Sequence, residues 1–309
     1  MNTLLADELR QFVRGIVKQN EPMAHHTTFG VGGPADVYVE PADEEDLAEL
    51  LKWTHENGIP WMVLGAGANM LVSDSGIRGL VIRMGKPFAR VKIEGEKIFC
   101  GAGASLDKVV DMAVQAGLAG LEYATAVPGT IGGAILMNAG TYRGWVGDVV
   151  ETVRVLRVDG HREELSREDM QFSYKHTVLM GDTSRIITSV TFILKPGIKE
   201  EMVRTVQQLK RRRNETQPAE GRSAGCMFKN PEGMSAGWMI QEAGLKGMRI
   251  GGALVSDKHA NFILNIDNAS ASDLRRLSEE VRKIVEQKFG ITLEYEVRLV
   301  GDWTGFEEA

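Results

Sequence analysis

The sequence predicts an α+β fold assembled from α/β units in three parts. Short β-branched stretches alternate with helical apolar stripes along the whole chain. The 35 glycines cluster in the loops between these elements rather than in a low-complexity tract, which points to backbone that must approach something closely. At 309 residues, 43% of them hydrophobic, the chain is long enough for more than one core. The boundaries fall at 1–85, 86–198 and 199–309.

The elements follow in order. Residues 1–14 form an amphipathic segment with Asp7 and Glu8 inside it, and lack the basic start and apolar run of a signal peptide. Residues 37–39 read as a strand, and Asp43 caps a helix with Leu47, Leu50, Leu51 and Thr54 on one face, ended by Gly58. Strands at 61–64 and 80–82 complete a β-α-β-β unit over 35–85. A second unit opens with a strand at 97–100. Ser105 then caps a helix whose face is Leu106, Val109, Val110 and Ala113, closed by Gly117. Strands recur at 153–156 and 186–194.

The third unit starts near Lys199 with the stripe Met202, Val203, Val206 and Leu209. The run Lys210, Arg211, Arg212, Arg213 suits the C-terminal end of that helix. A short helix near 238–243 and a strand at 261–265 come next. A periodic helix follows (Leu274, Leu277, Val281, Ile284, Val285), then Gly290, a last strand at 293–300, and a tail from Asp302 that reads as frayed.

A net charge of −6 and a pI near 5.7 weigh against a nucleic-acid or anionic-membrane binder. No stretch approaches the length of a membrane span. Cys100 and Cys226 offer neither metal-ligand spacing nor a disulfide framework, which fits a reducing cytoplasm. The chain is expected to be a monomer or weak oligomer.

Three glycine-rich loops carry the first chemical signal. Gly65, Ala66, Gly67, Ala68, Asn69 and Met70 follow a strand but lack the third glycine and the helix of a dinucleotide fingerprint. They form either an anion-binding nest or a tight turn. Pro128, Gly129, Thr130, Gly132, Gly133 and Ala134 lead into a helical segment, whose first N–H groups attract phosphate. A third loop, from Phe29 to Pro34, precedes the first strand. Three such loops suggest a long diphosphate ligand, as extended as FAD. Cys226 stands in Gly225-Cys226-Met227-Phe228-Lys229-Asn230-Pro231, an oddly polar setting for a thiol, where Lys229 favours the ionised form. On residue type alone the favoured reading is a half-buried loop thiol.

The order Thr27-Thr28-Phe29…Val31-Gly32-Gly33-Pro34-Ala35, the 64–69 loop and the 127–134 loop resemble the FAD-binding domain of the vanillyl-alcohol-oxidase type. Four downstream segments resemble the UDP-N-acetylenolpyruvoylglucosamine reductase family, in its shorter type: Phe172-Ser173-Tyr174-Lys175, the stretch 223–231, Lys258-His259-Ala260-Asn261-Phe262, and Leu293-Glu294-Tyr295-Glu296-Val297-Arg298. The resemblance implies a two-subdomain FAD-binding domain (1–85 and 86–198) and a C-terminal α+β substrate-binding domain (199–309). FAD is held non-covalently by the first two loops, and NADPH is the hydride donor. The substrate is UDP-N-acetylglucosamine enolpyruvate, with UDP-N-acetylmuramate as product.

Hydride addition at C3 of the enolpyruvyl group leaves charge on its carboxylate, which needs donors aimed at it, and C2 then needs an acid. By resemblance the acid is Cys226, and the carboxylate is polarised by Lys175 and Glu296, with Tyr174, Lys229 and Asn230 on the substrate. Lys175 departs from the family's arginine, losing its planar fork, and a neighbour such as His176 is a candidate second donor. Gly30 departs from a position often basic in the shorter type. His259 reads as a polar contact or a structural histidine, and Arg211, Arg212 and Arg213 as phosphate-steering or as a solvated helix end. The pair His25-His26 invites a covalent flavin tether, which the resemblance opposes. Alternatives are an FAD-dependent sugar or alcohol oxidase and a flavin-binding subunit of a larger redox complex.

Overall fold

The computed structural model describes residues 2–304 and 306. Two compact units interleave along the chain, each with its own apolar core. One comprises the chain up to Gln19, Val37–Ala66 and Gly79–Arg213; the other comprises Asn20–Asp36, Gly67–Arg78 and the chain from Asn214 onward.

In the first unit, helix α1 (Asn2–Leu9) buries Ala6 and Leu9. Helix α2 (Glu44–Glu56) starts where expected, with the Asp43 side chain accepting the Asp46 N–H at 2.9 Å, and buries Leu47, Leu50, Leu51 and Thr54. A four-stranded sheet runs in the order Ile16–Pro22, Pro34–Glu40, Ile77–Arg83, Trp61–Leu64, the last two parallel. The buried Asp46 carboxylate accepts the N–H groups of Arg14, Gly15 and Ala42, which ties the entry to the sheet onto α2.

The larger sheet of this unit is antiparallel throughout, in the order Arg162–Ser166, Val150–Arg157, Arg185–Ile193, Lys97–Gly101, Val91–Glu94. Helices α3 (Leu106–Gln115) and α4 (Ile131–Leu136) add their apolar faces to the same core. Helix α5 (Lys199–Thr216) runs three residues past Arg213. The basic run lies in the last two turns, at the C-terminal end as expected, with Lys210 paired to Asp111 at 3.6 Å.

In the second unit, Met70–Val72 pairs in parallel with Arg298–Val300. That pairing explains why 67–78 leaves the β-α-β-β unit expected over 35–85 and joins the C-terminal segment. A three-stranded antiparallel sheet, Arg249–Ile250, Ala253–Val255 and Ile263–Asn265, packs with helices α6 (Ala236–Glu242) and α7 (Ala271–Phe289). Ser270 and Asp273 form a capping box at the start of α7, Asp74 accepts the N–H groups of Ala271 and Ser272, and Gly290 (φ +69°) ends the helix in the left-handed region.

Two expectations fail here. The strand expected over 293–300 is regular only at Arg298–Val300, because the chain bends at Glu296 and Val297, whose N–H groups both point at Met227 O. The tail is anchored instead of frayed, at least through Phe306: Ser73 Oγ donates to Asp302 O, and the Arg275 guanidinium lies over the rings of Trp303 and Phe306. Residues 305 and 307–309 of that tail lie outside the described residues. Among the described residues, no helix is long and apolar enough to cross a membrane.

Candidate active site

The Cys226 loop is the middle member of a short three-way pairing inside the second unit. Cys226 bridges Phe262 on one side, and Phe228 bridges Tyr295 on the other. Met227 N donates to Asn261 O at 2.7 Å, Lys229 N donates to Glu294 O at 2.8 Å, and Glu296 N donates to Met227 O at 2.9 Å. Met227 and Phe228 are buried while Cys226 is half-buried, so the anchors lie inside and the thiol stands nearer the surface. The structure thus brings Cys226, Lys229 and Glu296 onto adjoining main-chain segments.

Several side chains have partners that residue type alone did not suggest. The Lys229 ammonium lies 3.3 Å from the exposed Glu294 carboxylate, so its charge is shared with an acid rather than directed only at the thiol. Asn230 Oδ1 accepts the Ala236 N–H at 3.0 Å and, with Ser235, starts α6. The Asn69 amide, expected at the cofactor, donates to Glu296 O at 3.1 Å, and Met70 is taken up in the pairing with Arg298. His259 takes the structural role: its Nδ1 accepts the Asn261 N–H at 3.3 Å and its ring packs edge-on against Phe262. Burial, and then the nearby Lys246, lower its pKa, so it is neutral with the proton on Nε2. Asn261 itself escaped sequence reasoning, although it stands in a segment that carried the resemblance. At Gly30 (φ +67°) the space a side chain would take is filled by the Arg222 guanidinium. A cavity of about 600 Å³ there is lined by Gly30, Gly32, Gly33, Asp74 and Arg222 among others, and none of the expected catalytic residues lines it.

In the first unit, Tyr174 and Lys175 form the tip of a two-residue turn closed by reciprocal bonds between Ser173 and His176. Tyr174 is exposed and meets Trp145 edge-on at 5.4 Å. Lys175 has φ +54°, a left-handed conformation that costs a residue with a β-carbon about 1 kcal/mol. Strain of this kind clusters at functional sites.

The two expected cofactor loops meet in this unit: a β-carbon on Gly65 would lie 2.6 Å from Thr130 Oγ1. The start of α4 does not offer the free N–H groups that the sequence suggested. Ile131 N donates to Ala104 O, Gly132 N to Ala102 O, and Gly133 N to Thr130 Oγ1 at 3.5 Å. What remains is a side-chain-free surface. A β-carbon on Gly129 would meet nothing within 4 Å, and one on Gly133 would meet only Thr130 Oγ1. Elsewhere in this unit the buried Tyr123 hydroxyl, whose ring lies against Gly144, has no hydrogen-bond partner among the described residues. An extended cofactor could approach such a bare main-chain surface closely. In the second unit Gly67 (φ +63°) is pressed against His26 O, and its carbonyl accepts the Thr28 N–H at 3.1 Å.

The class follows from two matches to family models: residues 35–166 match an FAD binding domain, and residues 217–300 match the UDP-N-acetylenolpyruvoylglucosamine reductase C-terminal domain. This is the α+β flavoprotein fold expected from the sequence. The chain is 43% identical to "UDP-N-acetylenolpyruvoylglucosamine reductase 2" of Symbiobacterium thermophilum, over 96% of this chain and 97% of that protein. It is 42% identical to the reductase of Caldanaerobacter subterraneus subsp. tengcongensis, over 98% of this chain and all of the other. The crystal structure of UDP-N-acetylenolpyruvylglucosamine reductase from Thermus caldophilus superposes with a TM-score of 0.81 at 37% identity, covering 94% of this chain and 100% of that one. The chain therefore belongs to the UDP-N-acetylenolpyruvoylglucosamine reductase family.

Proposed function

We propose that this chain reduces UDP-N-acetylglucosamine enolpyruvate to UDP-N-acetylmuramate, a step in peptidoglycan precursor synthesis, using FAD with NADPH as reductant. Within a chain of this family, the observation that carries the residue roles is the main-chain knitting of the Cys226 loop to the Glu296 segment. Residues 1–85 and 86–198 serve FAD, and 199–309 serve the substrate.

FAD, when bound along Gly65–Met70 and Pro128–Ala134, supplies the hydride derived from NADPH. Lys175 and Glu296 polarise the substrate carboxylate, on which charge accumulates as C3 gains the hydride. The Cys226 S–H bond breaks as its proton passes to C2, and the thiolate recovers a proton from water. Tyr174, Lys229 and Asn230 bind the substrate. Both cysteines are free thiols, in keeping with a cytoplasmic protein, which we take to be a monomer or weak oligomer.

The test is anaerobic NADPH oxidation by the flavin-loaded protein, with and without the enolpyruvyl UDP-sugar. Turnover that requires the sugar supports the reading. Turnover that ignores the sugar and consumes oxygen points to an oxidase and overturns it.

A further inference from the structure

We infer that Asn261 is the positioning residue that holds the Cys226 loop in register with the Glu296 segment. It thereby sets the place from which the thiol proton is delivered; the inference rests on the proton-donor reading of Cys226.

Asn261 is 2% exposed, and every polar group it has is engaged. Its Oδ1 accepts the Phe228 N–H at 3.0 Å, and its Nδ2 donates to Phe228 O at 2.8 Å. Its own carbonyl accepts the Met227 N–H at 2.7 Å, and its own N–H donates to His259 Nδ1 at 3.3 Å. Three of these four bonds fall on the two residues directly after Cys226. The opposite edge of the same residues meets the segment of Glu296, through Met227 O and the Phe228–Tyr295 bridge.

The need for a side chain at this point comes from the path of the chain. The antiparallel bridge Cys226–Phe262, continued regularly, would set Phe228 opposite residue 260. The chain instead turns there, with Phe262 N donating to His259 O, so no strand remains to face Phe228. The Asn261 amide, one acceptor and one donor on a planar frame, replaces the missing strand and satisfies both main-chain groups of a residue that is 1% exposed. An ionised aspartate could accept but not donate, leucine could do neither, and glutamine would overreach by one methylene. No other side chain reproduces that pair of bonds at that length.

The experiment uses the flavin-loaded protein with Asn261→Leu and Asn261→Asp. Two readouts need no turnover: amide exchange of the peptide containing Met227 and Phe228, and the rate of Cys226 alkylation by iodoacetamide, located by mass spectrometry. Both should rise by about tenfold or more in Asn261→Leu. Reoxidation of the reduced flavin by the UDP-sugar should slow by roughly 10–100-fold, since a displaced acid loses that much, while reduction by NADPH stays within about twofold. Asn261→Asp should recover as pH falls and its carboxyl regains a donor proton. Asn261→Leu, which shares every other titrating group, should not recover.

Unchanged exchange and unchanged reoxidation in Asn261→Leu would overturn the inference. So would an equal fall in both half-reactions, which marks a packing residue. Should Asn261→Leu fail to fold, a pH-independent defect in Asn261→Asp overturns it as well. If the wild-type protein does not reduce the sugar, the functional reading fails, while exchange and alkylation still decide whether Asn261 holds the loop.

Discussion

Replacing Cys226 by alanine removes one sulfur atom and leaves the main-chain bonds of Met227, Phe228 and Lys229 in place. The bonds that hold the loop run through the main chain of Met227, Phe228 and Lys229 and through the Asn261 amide. Cys226 is only half-buried, so the loss of one heavy atom costs the fold about 1 kcal/mol or less. A positioned general acid contributes roughly 10²–10⁴-fold, about 3–5 kcal/mol of barrier. The kinetic loss therefore exceeds the structural one several-fold, and it falls on one half-reaction. Anaerobic stopped-flow at the flavin absorbance should show Cys226→Ala reduced by NADPH at the wild-type rate within about twofold. Its reoxidation by the enolpyruvyl UDP-sugar should slow by about 10²–10⁴-fold. Cys226→Ser, which keeps an O–H donor, should fall between the two. Equal slowing of both half-reactions, or undiminished reoxidation, would refute the assignment of Cys226 as the acid.

Three further outcomes follow from the geometry. Lys175→Arg should retain or raise sugar-dependent turnover by restoring a two-pronged donor, whereas Lys175→Gly should abolish it while raising the unfolding free energy by up to about 1 kcal/mol, because glycine tolerates φ +54°. Denaturation titrations and turnover assays on the two variants check both signs. His259 has a folded pKa below its unfolded value, so its contribution is fully present above the unfolded pKa, about 6.5, and is lost as pH falls through the lowered folded value. Denaturant midpoints measured across that window should decline for the wild type, and His259→Asn, which does not titrate, should remove that part of the slope. Gly65→Val places carbon atoms against Thr130 Oγ1, 2.6 Å from the β-carbon position, and should cut the flavin content of the purified protein to about a tenth or less with the far-ultraviolet dichroism unchanged.

Helices with a one-sided apolar stripe were legible because the period of burial is local. The stripe Leu47, Leu50, Leu51 and Thr54 needs only its own residues and the Asp43 cap to be recognised, and so does Leu106, Val109, Val110 and Ala113 after Ser105. Edge strands were not legible. Ile16–Pro22 and Arg162–Ser166 alternate in exposure but carry few apolar residues on the inner side, so their sequences show no apolar–polar alternation. The course of the chain between units was hidden for a different reason. Met70–Val72 is three apolar residues, and nothing near it says that its partner is Arg298–Val300.

The chemistry of the site was legible as residue types, but its assembly was not. Cys226, Lys229 and Glu296 are polar residues in glycine-rich or strand-like text, and that contrast can be seen without coordinates. Their juxtaposition depends on isolated bridges that never extend into a ladder, so no periodic signal marks them. The bend at Glu296 has the same origin. A regular strand over 293–300 would alternate its N–H groups between neighbours, whereas two consecutive ones, from Glu296 and Val297, converge on the single carbonyl of Met227. That irregularity takes Glu296 out of the strand pattern while fixing its main chain to the loop of Cys226. Asn69, 227 residues away in the chain, holds the same residue from its carbonyl side. The resemblance assigned Asn69 to the cofactor loop because it stands in the Gly65–Met70 stretch. Its amide also braces Glu296, so a change at Asn69 should disturb reduction of the sugar even where flavin content is preserved.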